Sequence, residues 1–377
     1  MVFSAPRLVD GRSGMPTKQG SVEAARPHTF EAKHRILREY LRAWYPILLR
    51  APFTNRLTVL DAFAGPGVYP DGNLGSPVLL LEELLARPDL IAIGKPVHFI
   101  FIENDREDFA ILDGLLAERF SALPLHITIE RKHGRCQDYA ESILAQSGAF
   151  GRGRPIFANL DAEGLDVPFP LVRRIAANDA SEVFVTMLTM RLMQFAKNPN
   201  QKADLQYGGP SWRGVLEMPS SEKVNYLVGA YRQTLRRAGF SGTLTFSMVE
   251  ERGYTLHLHF ATKGERGFER MKDAFWKVDP VQGVRYRDPK DPGQQTFQIQ
   301  LEPDLSSLKE RITEELLADG GWHTMEQVRK FVWPTLYKPV HATSAIQQLL
   351  AQGRIERRPR TGRLTTAVKL RLMPSLF

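Results

Sequence analysis

The chain of 377 residues contains a single cysteine, Cys136. One thiol forms neither an internal disulfide nor a cysteine zinc cage, so a reducing, cytoplasmic location is the expectation. Long apolar runs are also missing. The best candidate, residues 90–102, is interrupted by Lys95 and Pro96 and is shorter than the roughly 18 residues that a membrane helix needs. The first residues lack the apolar core of a secretory signal, so we expect no membrane partner.

Hydrophobic residues make up 43% of the chain and charged residues 24%, so neither class is scarce. This balance excludes a fully disordered or collagen-like chain and is sufficient for a sizeable core. At roughly 150 residues per domain, the length predicts two or three domains.

Positive charge is concentrated at one end of the chain. The net charge is +8, from 50 Lys and Arg against 42 Asp and Glu. Residues 305–377 hold 12 basic and 6 acidic side chains, so the other 304 residues hold 38 and 36 and are nearly neutral. Such asymmetry indicates contact with nucleic acid or another anionic surface, with a solvated basic tail as the alternative.

The hydrophobic pattern predicts an α/β chain with three parts. Residues 1–27 lack periodicity and predict a flexible N-terminal arm. Helical spacing begins after Thr29 and ends at Pro52. Short apolar runs separated by helical stretches then predict a parallel sheet covered on both faces: 57–60, 97–102, 125–129, 156–160 and 183–188. With a hairpin over 243–261 and a linker over 280–295, this pattern indicates a Rossmann-like domain over residues 28–300.

A glycine loop follows the first predicted strand, which ends in Asp61 and is followed by Gly65 and Gly67. An acid and a Gly-x-Gly turn after a strand are typical of a nucleotide-type site at the carboxyl edge of a sheet. The third glycine of a dinucleotide fold and the Lys-Ser/Thr of a P-loop are missing, which disfavours a nicotinamide-dependent oxidoreductase. The pattern fits S-adenosylmethionine, whose ammonium suits Asp61 and whose ribose hydroxyls suit the next strand-terminal acid, Glu103. A tight turn with a capping acid is the alternative.

Two later positions extend the predicted site. Gln137 and Asp138 follow the third strand, where side-chain oxygens can meet the adenine amino group of the cofactor. Asp161 follows the fourth strand, where base methylases have their catalytic loop. A carboxylate there can accept a hydrogen bond from a target amine and so activate it. Helix or turn capping is the alternative for Asp138 and Asp161.

Residues 304–377 predict a winged helix-turn-helix domain, with three helices followed by a two-stranded wing. The third helix, over 342–352, is the element that would enter a major groove. The candidate base-reading residues are His341, Thr343, Ser344, Gln347 and Gln348. The arginines suited to phosphates are Arg357, Arg358, Arg360 and Arg363. A protein–protein module is the alternative, since fold does not determine function.

These motifs together resemble the three-Cys-motif partner protein family of class I methyltransferases from bacteria and phages. The resemblance covers most of the chain from Thr29 and includes segments 33–44, 60–67, 75–77, 101–103, 161–164 and 260–263. The most specific parts are Phe-Ala-Gly-Pro-Gly at 63–67 and Gly-Ser-Pro at 75–77. The motifs and the resemblance together give Asp161 as the predicted catalytic residue and a predicted set of residues that bind S-adenosylmethionine: Asp61, Phe63, Gly65, Gly67, Glu103, Gln137 and Asp138.

The family name implies a partner with a three-cysteine motif, which resembles a radical-S-adenosylmethionine protein. The chain departs from the family at Ala162 and Glu163, where Pro and an aromatic residue are usual; in base methylases the aromatic residue helps to hold the flipped base. Two functions therefore stay open. One is a nucleic-acid (base amine) methyltransferase acting with that partner on DNA or RNA. The other is a non-catalytic methyltransferase-fold adaptor that binds nucleic acid for it.

Three further features have both a functional and a structural interpretation. His257 and His259 alternate on one predicted strand, but no third ligand lies nearby in the sequence, so we expect no metal site. Lys33 and His34 either line a substrate cleft or lie on an exposed helical face. The aromatic residues of segment 207–212 either stack on nucleic acid from a loop or pack within it.

Overall fold

The computed structural model describes residues 27–162, 164–188, 201–249, 255–281, 283, 285–287 and 303–373. The predicted N-terminal arm, apart from Pro27, lies outside these residues, as do most of the predicted linker and the hairpin turn. Among the described residues, no helix is both long and apolar enough to cross a membrane.

In the described part of the chain, eight strands form the central sheet: β1 (Leu57–Asp61), β2 (Val97–Glu103), β3 (Ile127–His133), β4 (Ile156–Leu160), β5 (Glu182–Leu188), β6 (Gly242–Val249), β7 (Thr255–Thr262) and β8 (Arg285–Arg287). Their order across the sheet is β3-β2-β1-β4-β5-β7-β6-β8. β1 to β5 are parallel, as predicted. β7 runs antiparallel to β5 and β6. The prediction of a linker is wrong at residues 285–287, which pair with β6.

Helices cover both faces of this sheet. They are α1 (Pro27–Leu49), α2 (Ser76–Leu85), α3 (Pro88–Ile91), α4 (Arg106–Arg119), α5 (Cys136–Gln146), α6 (Phe169–Ala177), α7 (Gln201–Tyr207), α8 (Lys223–Ala238) and α9 (Glu265–Val278). One apolar core contains side chains of α1, α2, α4 and α9, and the other contains side chains of α5, α6, α7 and α8. Because both faces are buried, the parallel strands β1, β2, β4 and β5 are mostly apolar rather than alternating, whereas the edge strand β3 is polar over Glu130–His133. On β2, for example, Phe99 and Phe101 belong to the first core and Ile100 and Ile102 to the second.

Helix α1 packs on the first face of the sheet. Its buried stripe includes Tyr40 and Trp44, which recur at helical spacing. The Tyr40 hydroxyl donates to Glu182 at the amino end of β5, and the Tyr45 hydroxyl donates to the Leu80 carbonyl of α2 at 2.8 Å. These bonds fix α1 against the sheet, so the first turns of the helix extend toward the opposite, carboxyl edge.

Two features singled out in the sequence lie on the second face, and the stacking-loop interpretation of one of them is wrong. Tyr207 and Trp212 are fully buried, so they form no exposed stacking loop. The Trp212 indole donates to Asp204 at 2.8 Å. His257 and His259 face the same side of β7, where their Nδ1 atoms pair with Ser247 at 2.9 Å and Thr245 at 3.1 Å. Their role is to connect β7 and β6, and in the described part of the chain no three His, Cys, Asp or Glu residues are grouped to hold a metal ion.

Residues 305–372, called the C-terminal module below, have a separate apolar core. Its elements are α10 (Ser306–Arg311), which continues as one π-helical turn (Ile312–Leu316), β9 (His323–Thr324), α11 (Met325–Val332), α12 (Pro339–Ala351), β10 (Ile355–Arg358) and β11 (Lys369–Leu372). The three strands are antiparallel in the order β10-β11-β9. Helix α11 begins with a capping box between Thr324 and Gln327, which satisfies backbone donors at its N-terminus.

The turn between α11 and α12 packs against α9. Trp333 stacks on Phe268 with ring centroids 4.6 Å apart, and the Trp276 indole donates to the Leu336 carbonyl at 2.9 Å. Lys272 is almost fully buried and donates to the carbonyls of Trp333 at 2.7 Å and Tyr337 at 2.9 Å. Burial lowers the pKa of Lys272 to about 8. The module is therefore attached through a specific polar and aromatic contact.

We expect Lys272→Met to lower the free energy of unfolding by about 1–3 kcal/mol, because two buried carbonyls lose their donor. The measurement is chemical denaturation followed by tryptophan fluorescence, with protease cleavage of the 333–338 turn as a second readout. Lys277→Met is the matched control, since Lys277 is an exposed lysine of the same helix, and it is expected to change stability by less than about 0.5 kcal/mol. Equal losses in the two variants would contradict the assigned role of Lys272.

Candidate functional site

The strand order reverses between β1 and β4, since β2 and β3 lie on one side of this pair and β5 on the other. Loops that leave the carboxyl ends of such strands diverge and open a crevice where ligands bind in α/β sheets. The loop after β1 is bonded to both neighbours, through Ala62 N to the Asn159 carbonyl at 3.2 Å and Ala64 N to the Ile102 carbonyl at 3.0 Å. Asp61, Glu103 and Asp161 therefore share this edge, as the sequence predicts.

Asp61 is a fully buried carboxylate. Its Oδ1 accepts a long hydrogen bond from Phe63 N at 3.5 Å, and its Oδ2 has no hydrogen-bond partner among the described residues. Burial raises the pKa of Asp61 to about 7, and the negative charge of Asp161 also raises it. Hydrogen bonding by the Ser76 and Asn159 side chains acts in the opposite direction and lowers it. A buried carboxylate with an unsatisfied oxygen is stabilised by a cation or hydrogen-bond donor placed against it.

Glu103 holds the glycine loop in place. Its Oε2 accepts from Gly65 N at 2.7 Å and its Oε1 from Asp105 N at 2.7 Å, and the side chain is buried. Each carboxylate oxygen has two lone pairs, so both oxygens can accept further bonds from ligand hydroxyls. Its position at the end of β2 agrees with the prediction.

Glycine is required twice in the loop, because Gly65 and Gly67 have φ values of 63° and 74°, a left-handed conformation that side chains disfavour. Gly67 is also enclosed, since a Cβ there would lie 2.8 Å from Leu112 Cδ1. Gly75 N donates to the Gly67 carbonyl at 2.8 Å. The two most specific sequence motifs, 63–67 and 75–77, are thus in contact. Phe63 is half-buried and packs against the second core.

Gln137 and Asp138 lie in the first turn of α5, at the same edge of the sheet. Gln137 is exposed. Asp138 is held by Arg135, with Nε to Oδ2 at 2.8 Å and Nη2 to Oδ1 at 3.1 Å. Beside them Cys136 is buried, and burial raises the pKa of its thiol to about 12.

Asp161 forms a nearly buried ion pair with Lys33 of α1, a contact that the sequence did not predict. Of the two interpretations of Lys33 and His34, the exposed helical face is wrong, since both are buried. Burial lowers the pKa of His34 well below 6.5, and the charges of Lys33 and Arg38 lower it further, so His34 is neutral. Ala162 is buried in the second core, and Glu163 lies outside the described residues.

The predicted base readers divide into two groups. Gln347 and Gln348 are exposed on α12, and Thr343 and Ser344 are half-buried. His341 is not available to read bases, so that prediction is wrong. Its ring lies 4.0 Å from that of Trp276, and its Nδ1 accepts from Lys338 N at 3.2 Å, which caps the helix.

The four predicted phosphate-binding arginines also differ in their surroundings. Arg357 donates to the carbonyls of Pro359 at 2.9 Å and Thr361 at 3.3 Å, and Arg358 lies 4.3 Å above the Trp322 ring. Arg360 and Arg363 are exposed. Arg360 and Arg363 both lie in the loop between β10 and β11, where their guanidinium groups are exposed to solvent.

No protein-family model matches the chain, and no curated protein matches it. Among solved structures, the O-methyltransferase TomG from Streptomyces achromogenes in complex with SAM is 18% identical, with 66% of this chain and 92% of that chain covered and a TM-score of 0.34. An O-methyltransferase from Bacillus cereus in complex with SAH is 13% identical, with 66% and 93% covered and a TM-score of 0.34. A methyltransferase from Pyrococcus furiosus is 12% identical, with 59% and 83% covered and a TM-score of 0.26. Each TM-score is below 0.5, a similarity too low to assign a fold or an activity to the chain.

We expect Gly67→Ala to destabilise the protein more than Gly94→Ala. The two glycines have similar φ values of 74° and 72°, but a Cβ on Gly94 meets nothing within 4 Å. Gly94→Ala therefore measures the left-handed strain alone, about 1–2 kcal/mol, and Gly67→Ala adds about 1–3 kcal/mol for overpacking against Leu112 and Leu115. Denaturant unfolding measures both, and equal losses would show that the loop does not pack tightly on α4.

Proposed function

We propose that the chain is an S-adenosylmethionine-dependent methyltransferase. The observation that carries the proposal is Asp61, a fully buried carboxylate with an unsatisfied oxygen at the crevice where the strand order reverses. The ammonium of the cofactor would supply the missing partner.

The remaining residues would bind the other parts of the cofactor. Glu103 would accept from the ribose hydroxyls, and Gly65 and Gly67 allow the loop backbone to approach the ligand. Gln137 and Asp138 lie where the adenine amino group would bind. When bound, the cofactor supplies an electrophilic methyl group on a sulfonium. Asp161, on the other side of Asp61, would accept a hydrogen bond from the acceptor.

The C-terminal module would bring nucleic acid to this crevice. The proposal of a winged helix is supported by the order of its elements, a helix, a short strand, two helices and two strands, and the module carries most of the net positive charge of the chain. Gln347 on α12 and Arg360 and Arg363 on the loop after β10 are the exposed groups suited to bases and phosphates. A partner with a three-cysteine motif, of the radical-S-adenosylmethionine type, stays a prediction from the resemblance, as does a base amine as acceptor.

A non-catalytic adaptor is the second candidate. It is favoured by the departure from the family at Ala162 and Glu163 and by the pairing of Asp161 with Lys33, which occupies one carboxylate oxygen. Transfer of label from radiolabelled cofactor to RNA or DNA separates the two candidates, since an adaptor transfers none.

We expect Asp61→Asn to abolish binding of S-adenosylhomocysteine, measured by calorimetry, while making the ligand-free protein more stable at pH 8. Burial raises the pKa of Asp61 to about 7 in the folded protein. The folded protein therefore loses stability as the pH rises from about 4 through 7, because the buried carboxyl group becomes charged over that range. Asn removes the cost of that buried charge, on the order of a few kcal/mol. Asp71→Asn, on the exposed part of the same loop, is the control. Unchanged binding in Asp61→Asn would contradict the cofactor proposal.

We expect Arg360→Ala combined with Arg363→Ala to weaken binding of duplex DNA and RNA without regard to sequence. Each lost phosphate contact reduces the magnitude of the slope of log affinity against log salt by about one. The magnitude of this slope should therefore be smaller by about two in the double variant. Fluorescence anisotropy at several salt concentrations measures this slope. Arg266→Ala, an exposed arginine of α9, is the control, and the same slope in all three proteins would contradict a role for the module.

A further inference from the structure

The ion pair between Lys33 and Asp161 joins the first turns of α1 to the end of β4, 128 residues apart in the chain. Only 8% of the Lys33 side chain and 12% of the Asp161 side chain are exposed. A buried ion pair is weak evidence for a contribution to stability, because desolvation offsets much of the attraction. What the pair does provide is a carboxylate of fixed orientation at the edge of the crevice.

The two oxygens of Asp161 differ in their surroundings. Oδ2 accepts from the Lys33 ammonium, and none of the described residues donates to Oδ1. The carboxylate is close enough to Asp61 for its charge to influence that group. The pair therefore borders the position that the proposed function gives to the cofactor, with Oδ1 left for the acceptor and a cation directly behind it.

Resting on the proposed function, we propose that Lys33 is a positioning residue for Asp161 and that the pair selects a hydroxyl group as the methyl acceptor. A hydroxyl oxygen becomes more negative as it loses its proton, and a preorganised ammonium stabilises that charge. A reacting base amine becomes more positive, and the same ammonium repels it. The pair thus favours oxygen over the base amine expected from the sequence.

The proton balance of this step uses Asp161. The acceptor hydroxyl donates its hydrogen bond to Oδ1 and transfers its proton there as its oxygen gains the methyl group, while the electron pair of the broken carbon–sulfur bond stays on sulfur. Asp161 is then neutral beside the Lys33 ammonium, and water carries the proton away. The products are the methyl ether and the thioether form of the cofactor.

This chemistry also selects the polymer. The hydroxyl that recurs along a nucleic acid is the ribose 2′-hydroxyl, which RNA has and DNA lacks. With the C-terminal module contacting nucleic acid, the acceptor is RNA. The substrate class named here is therefore a ribose hydroxyl of an RNA chain.

The first experiment incubates the full chain with methyl-labelled cofactor and RNA or DNA of the same sequences. We expect label in RNA alone, and we expect it in alkali-resistant dinucleotides, because a methylated 2′-oxygen cannot cleave the neighbouring phosphodiester. Label in DNA, or in the bases of either polymer, overturns the proposal. If S-adenosylhomocysteine binds and neither polymer is labelled, RNA as acceptor is wrong while the cofactor assignment stands. If it does not bind, the proposed function itself fails.

The second experiment tests Lys33. Lys33→Met should lower label transfer by at least about tenfold, and Lys33→Arg, which keeps the charge, should restore part of it. Lys277→Met is the matched control, because Lys277 pairs with Glu39 on the exposed surface. Transfer by Lys33→Met at the rate of that control overturns the role of Lys33.

A third measurement separates positioning from folding. The groups that act on the pKa of Asp61 are the Ser76 and Asn159 side chains and the Phe63 N–H, which lower it, and Asp161, which raises it; Lys33 would act through Asp161, and Glu103 lies on the neighbouring strand. Without Lys33 the charge of Asp161 is uncompensated. The pH midpoint of S-adenosylhomocysteine binding should then rise by roughly one unit, and adding Asp161→Asn should reverse the rise. A merely structural lysine would show no such reversal.

Discussion

The uncompensated carboxylate of Asp61 is the constraint on which the rest of the crevice depends. Keeping that group buried requires strong packing around it, and the loop after β1 provides this by bonding to both neighbouring strands and by packing Gly67 against α4. Glu103 then secures the same loop from β2. The unsatisfied carboxylate oxygen lowers stability at this edge, a cost that binding of the proposed cofactor would offset.

Helix α1 and the C-terminal module are connected through α9. Helix α1 supplies Lys33 at one end and packs along α9 through a common apolar core, and α9 holds the module through Phe268, Lys272 and Trp276. The turn between α11 and α12 is partly buried in this contact, while Gln347 and Gln348 of α12 remain exposed. The proposed acceptor site and the surface that would bind a polymer are therefore parts of one packed unit.

Much of the carboxyl edge could be predicted from the sequence, because strand periodicity and turn chemistry are local. Asp61, Gly65, Gly67 and Glu103 follow apolar runs directly, and their places in the sheet agree with the prediction. The contact of Lys33 with Asp161 could not be predicted, since it depends on how α1 lies across the sheet. His341 was misassigned for a similar reason, because only tertiary packing against Trp276 reveals that its helical position faces inward.

The buried thiol of Cys136 has a practical meaning for studying this protein in solution. Thiolate is the reactive form of cysteine, and a pKa raised to about 12 leaves almost none of it at neutral pH. The chain thus behaves toward alkylating reagents as a cysteine-free background. A fluorophore or spin label attached to a cysteine introduced on α12 would report on the module alone, with no competing signal from the native sequence.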